Sequence, residues 1–311
     1  MGRNRKNITI QLNNRINELL HIGEKKIKVN GRVATINSVK TADSYRKTAN
    51  RLAQTCKEMG VKDIKDIDVN VVARYMESYR NASSWTISRE LSAISKIRGE
   101  TITPKDLGFT QRRTYTSVKN NRGDLPKSSS SNRPENQDAL YFASATGCRR
   151  SSLDPTSKTA VKASDAIRNA QGQIYAFHFI EKGHRHRVSL VLPSEIRNLT
   201  SFVDNKLKGG LSSDAPLISH IDNNLGCHRM RSQYARDLYS ELKEAKEHNI
   251  DVYQGHKYDL FIDKGKFDHS YNNPRFKNDT IHGFDKDLAL EVSFNLGHGR
   301  LDCSVYSYLL R

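Results

Sequence analysis

The chain has 311 residues, enough for one large domain or two ordinary ones, each with a working core. Its 51 Lys and Arg against 34 Asp and Glu leave a formal net charge of +17, which points to an anionic partner, most often nucleic acid. No stretch reaches the roughly 18 consecutive apolar residues of a membrane span, and the first residues lack the apolar core of a secretory signal, so no membrane association and a cytoplasmic location are expected.

The four cysteines, Cys56, Cys148, Cys227 and Cys303, stand apart with no CxxC pair, which argues against a zinc ribbon or a disulfide framework. In chain order, Ile8, Leu12, Ile16, Leu19 and Leu20 recur at helical steps ahead of Gly23, predicting a short docking or DNA-contacting helix. Tyr45, Ala49, Leu52, Ala53 and Cys56 repeat the pattern up to Gly60. Asp68 is placed to cap a third helix, and Ser83 or Ser84 a fourth whose stripe is Ile87, Leu91, Ile94 and Ile97. Arg89, Lys96 and Arg98 lie off that stripe and are candidates to grip backbone phosphates.

From Asn120 to Asn136 the composition turns to Gly, Pro, Ser and charge, which reads as a linker. A helix then runs to Gly147, with Pro134 near its start where a missing N–H is tolerated. A hairpin follows around Gly183, with Tyr175, Phe177 and Phe179 outward and Val188, Leu190 and Leu192 on the return. Two more helices begin near His228 and Asp285. The expected fold is mainly α with a small β-sheet. It divides into a basic segment and helix over 1–35, a helical domain over 36–125, a linker over 126–134 and a second domain over 135–311.

Two stretches suggest chemistry: Ala145–Leu153, reading ATGCRRSSL, and Leu296–Leu310, reading LGHGRLDCSVYSYLL. Arg149 offers a fork of donors matched to phosphate, His298 a further donor, and Tyr306 or Tyr308 a phenol able to act as nucleophile. Thr146-Gly147-Cys148-Arg149-Arg150-Ser151-Ser152-Leu153, Lys182 and Arg187 on the hairpin, His228-Arg229-Met230-Arg231 and Leu296-Gly297-His298 occur in one order along the chain. In these boxes the second half resembles the tyrosine recombinase, or phage integrase, family of site-specific DNA recombinases.

That resemblance implies an amino-terminal helical core-binding domain of SAM-like form and an α+β catalytic domain, closing as a C-shaped clamp on duplex DNA. It implies cleavage and rejoining through a 3′-phosphotyrosyl intermediate, with no cofactor, metal or ATP. Arg149 and Arg231 would hold the non-bridging oxygens with His298. His228 would act as general base and Lys182 as general acid. Arg150 and Arg187 are further candidates for the DNA backbone. A family glutamate is replaced by Ser152, and the tyrosine spacing slips by one residue, leaving Tyr308 and Tyr306 both open with Tyr308 preferred.

The implied partners are double-stranded recombination sites, three further copies of the chain in a synaptic tetramer of otherwise monomeric protein, and accessory DNA-bending or directionality factors. The implied setting is the nucleoid of a bacterium carrying the gene itself or on a phage or mobile element. A DNA-binding module of this fold that no longer cuts DNA is the competing expectation. The aromatic and basic stretch at 252–279 reads equally as a DNA contact and as packed structure.

Overall fold

The computed structural model describes residues 7–22, 24, 27–29, 32–110, 129–181, 185–253, 279–298 and 301–310. The protein is mostly helical with a small antiparallel sheet, and it divides into two compact units, Met1–Ser117 and Val118–Arg311. Among the described residues no helix is long and apolar enough to cross a membrane.

The first unit contains helices α1 (Ile8–Glu18), α2 (Val39–Glu58), α3 (Val69–Met76) and α4 (Ser84–Arg98), with a two-stranded hairpin β1 (Lys28–Val29) and β2 (Arg32–Val33) between α1 and α2. Each helix starts where a side chain accepts an otherwise orphaned backbone N–H: Asn7 from Thr9 at 3.0 Å, Ser38 from Thr41 at 3.4 Å, Asp68 from Asn70 and Val71 at 2.9 Å, and Ser83 from Thr86 at 3.2 Å. Gly99, at φ 76°, ends α4 in the left-handed region.

Ile8, Leu12 and Ile16 of α1 share one core with Leu52 and Cys56 of α2, Val72 and Met76 of α3, and Ile87, Ile94 and Ile97 of α4. Helix α1 is thus a packed member of the helical unit. Glu90, unforeseen as a core residue, is fully enclosed on α4 and accepts hydrogen bonds from Thr48, Arg51 and Tyr75. Burial alone would push its carboxyl up. The bonds from Arg51, Thr48 and Tyr75 outweigh that and hold it below its ordinary value.

In the second unit, short 3₁₀ turns at Ser129–Asn132 and Pro134–Asn136 lead into α5 (Gln137–Thr146) and α6 (Arg150–Leu153). A three-stranded sheet follows, β3 (Ala166–Arg168), β4 (Ile174–Glu181) and β5 (Arg185–Leu190), with Ala176 opposite Leu190 and His178 opposite Val188. Beyond it come α7 (Ile196–Lys208), α8 (Cys227–Glu247), a small hairpin β6 (Thr280–Ile281) and β7 (Phe284–Asp285), α9 (Lys286–Asn295), α10 (Leu301–Ser304) and a π-helical turn at Val305–Leu309.

The sheet divides the core of this unit. Phe177 and Phe179 pack with Phe142 of α5 and Leu199 of α7, while Ala176 and Leu190 pack with Tyr234 and Leu238 of α8, Val292 of α9 and Val305. Tyr175 joins the second group, not the face of Phe177 and Phe179 as the alternation predicts. The register of β3 against β4 shifts between Ile167 and Arg168, beside Ile174–Ala176, and such an irregularity re-aims a neighbouring side chain.

Candidate active site

Three segments distant in sequence meet at the carboxy-terminal end of the second unit. The first is the turn after α5. Gly147 sits at φ 60°, and a Cβ built on it would lie 2.2 Å from Cδ1 of Tyr234. Only glycine fits there, since the position requires both a left-handed backbone and a missing side chain. Tyr234 cannot yield, because it is fully buried and its hydroxyl donates to the Leu190 carbonyl at 2.8 Å. Ser189 donates to the Thr146 carbonyl at 2.8 Å and fixes the other side of the turn. The chain thereby delivers Arg149, half-buried, as the residue preceding α6.

The second segment is the start of α8, where His228 occupies the first turn, half-buried, and Arg231 the next, 1% exposed. The guanidinium of Arg231 donates to the carbonyls of Gly147 and Leu296, joining the Thr-Gly turn to the end of α9. Among the described residues, carbonyl dipoles rather than a carboxylate compensate this buried charge.

The third segment is Leu296–Leu310. Gly297, at φ 66°, closes α9, and the His298 N–H donates to the Ser293 carbonyl at 2.9 Å. His298 Nε2 then lies 3.2 Å from the hydroxyl of Tyr308, with ring centroids 5.4 Å apart. The Tyr308 ring is 8% exposed, and the Arg231 guanidinium carbon stands 5.9 Å from its centroid. Arg236 donates to the Tyr308 carbonyl at 3.4 Å. Tyr306 turns elsewhere: its hydroxyl pairs with His282 Nε2 at 2.8 Å, beside the β6–β7 turn. Arg231, His298 and Tyr308 are thus assembled in one place, with the Gly147 carbonyl tying in the segment that carries Arg149.

The remaining candidates fall differently. Lys182 lies outside the described residues, as does most of 252–279. Arg187 is not a surface contact. It is 7% exposed, donates to the Asn295 carbonyl and stacks 4.8 Å from the Phe179 ring centroid, because its strand position faces the interior. Arg150, expected at solvent or the DNA backbone, instead reaches the Asp222 carbonyl at 3.1 Å, Asn223 Oδ1 at 3.3 Å and the Asp154 carboxylate at 3.6 Å.

In the first unit, Lys96 is directed at the Val33 carbonyl of the unforeseen β1–β2 hairpin, and Arg98 is largely covered and paired with Glu100 at 2.7 Å. Arg89 stays more than half exposed, with one bond to Glu90 at 3.1 Å.

Sequence reasoning missed Asn295, fully buried, whose side-chain oxygen accepts from the Leu190 N–H at 2.7 Å while its carbonyl accepts from Ser189 and Arg187. A polar residue within an apolar helix stripe is the signal that could have found it. Ser152 is fully buried, and its hydroxyl makes no hydrogen bond among the described residues. Burial pushes the thiols of Cys148 and Cys227 up to about 12 and about 11, so neither supplies a thiolate near neutral pH. Among the described residues no group of three or more His, Cys, Asp or Glu is placed to hold a metal ion. No family model, curated protein or solved structure matches the chain.

Proposed function

We propose that this protein is a tyrosine-type site-specific DNA recombinase. Its first unit serves as a helical core-binding domain, its second as the catalytic domain, and paired recombination sites are engaged as a tetramer. The observation that carries the reading is the meeting of a phenol, an imidazole and a buried guanidinium from separate segments: Tyr308 hydroxyl 3.2 Å from His298, and Arg231 5.9 Å from the same ring. Basic net charge and the order of the sequence boxes agree with it.

In this mechanism the Tyr308 oxygen attacks a DNA phosphorus in line. The phosphorus–5′-oxygen bond breaks, leaving a 3′-phosphotyrosyl ester and a free 5′-hydroxyl. A 5′-hydroxyl from a second duplex reverses the step, so the ester conserves the energy of the original bond. A free phenol ionises near pH 10 and needs a proton acceptor: the sequence boxes offer His228, and the 3.2 Å contact to the Tyr308 hydroxyl makes His298 a second candidate for that role. Arg149 and Arg231 offset the charge developing at phosphorus, where losing one aimed donor costs about 10²–10³ in rate. Lys182 is kept as the proton donor to the leaving oxygen.

A second reading, a DNA-binding protein that no longer cuts, draws on one feature: both terminal nitrogens of Arg231 are already engaged by carbonyls. Duplexes nicked beside the scissile phosphate, which trap the covalent step, decide between the two. The proposal expects a protein–DNA adduct whose cross-linked peptide carries Tyr308, lost in Tyr308→Phe and kept in Tyr306→Phe. A folded, DNA-binding chain that forms no adduct on any nicked site overturns it, and an adduct on Tyr306 overturns the assignment of the nucleophile.

A further inference from the structure

Two arginines of the first unit lean on one buried carboxylate. Glu90 Oε1 accepts from Arg51 at 3.0 Å and from Arg89 at 3.1 Å, while Oε2 accepts from Arg51, Thr48 and Tyr75 at 2.8 Å each. Glu90 has no exposed side-chain surface, yet the side chains of Arg51 and Arg89 are 46% and 57% exposed. One guanidinium would neutralise the carboxylate. With two sharing a single oxygen, the cluster keeps an excess positive charge at the surface, with like charges close together.

A second anion between the guanidiniums would relieve that repulsion and complete an alternating arrangement of charge-assisted bonds. The fixed forks also lose little conformational freedom on binding, because Glu90 already holds one edge of each. Around them, Lys47 is exposed one turn before Arg51 on α2. Trp85, the chain's single tryptophan, is 39% exposed one turn before Arg89 on α4.

We propose that Arg51 and Arg89, aimed by Glu90, form a clamp for one backbone phosphate of duplex DNA on the first unit, flanked by Lys47 and Trp85. The inference rests on duplex DNA being the partner, as in the proposed function, and not on cleavage. Neutralising one phosphate contributes about 0.9 to the slope of log affinity against log salt.

The test titrates the full chain onto a mixed-sequence DNA duplex over a salt series, with Trp85 fluorescence as one readout and mobility shift as the other. Arg51→Gln with Arg89→Gln is expected to lower the slope by about 0.9. Arg89→Gln alone, which leaves the Arg51–Glu90 pair in place, keeps the native melting profile and weakens binding in the same direction. Arg168→Gln, on β3 and paired with Asp204 at 2.6 Å, removes one charge from the second unit, as Arg89→Gln alone does from the first, and leaves the slope unchanged. An unchanged slope in the double variant, or an equal drop in Arg168→Gln, overturns the clamp. So does pair-dependent binding to an RNA hairpin or a phosphatidylserine vesicle without binding to duplex DNA. Pair-dependent duplex binding by a chain that forms no covalent adduct upholds the clamp and sinks the recombinase reading.

Discussion

Tyr306 and Tyr308 occupy one short turn and meet different histidines, a distinction that no count of residues reveals. Two residues apart on a helical turn, their side chains leave on different faces, and the π-helical winding of Val305–Leu309 sets which face looks at His298. The arginines carry the same lesson. Arg187 and Arg231 are charged in sequence but interior in the fold, because carbonyls at the ends of neighbouring elements are arranged to receive them. Nothing local marks such a residue, whereas Arg89, on the polar face of α4, keeps the exposure that its position predicts. At this scale the cysteines give a direct prediction. Cys56, Cys148 and Cys227 are buried, and burial pushes their thiols up to about 11, 12 and 11. At pH 8 iodoacetamide should leave all three unmodified in the native chain and label them after unfolding in guanidinium, as read by peptide mass spectrometry. Rapid native labelling of Cys148 would show that the Thr-Gly turn is open.

Most helices were legible and most strands were not, although the 13-residue α7 also escaped the sequence reading. The four helices of the first unit carry a 3.6-residue apolar period and a capping side chain, and both signals are local. Strands β1, β2, β6 and β7 have two residues each and β3 has three, too few for any alternation to register, and all were missed. Tertiary pairing alone makes them. The turn between α5 and α6 joins the two kinds of information: Gly147 reads as a helix stop, but its second duty, admitting the Tyr234 ring, becomes visible only in the packed state. Gly147→Ala should therefore destabilise the second unit by about 2–4 kcal/mol, combining a left-handed backbone with overpacking against an immobile ring. A urea titration followed by far-ultraviolet circular dichroism measures this. DNA cleavage should fall further than the folded fraction does, since the same substitution displaces Arg149. A loss of activity that merely tracks the folded population would reduce Gly147 to a helix stop.

For the whole molecule, apolar periodicity foretold a mostly helical chain with a small sheet and the net charge raised the expectation of an anionic partner, while the meeting of Arg231, His298 and Tyr308 could be reached from sequence only through the resemblance. Spacing along a chain says little about convergence over the 65 residues that separate Arg231 from Leu296. The charge of +17 would also overstate what a nucleic acid meets, since the cation of Arg187 is spent on an interior carbonyl. Salt dependence counts only the cations that displace counterions from phosphates. If six to ten phosphates are neutralised, affinity for duplex DNA should fall by roughly 10³–10⁵ between 50 and 200 mM salt. Fluorescence anisotropy of a labelled duplex measures that decline directly. A fall of less than about tenfold would mean fewer than two phosphates are engaged, too few for two units gripping one duplex, and the basic surface would then serve solubility alone.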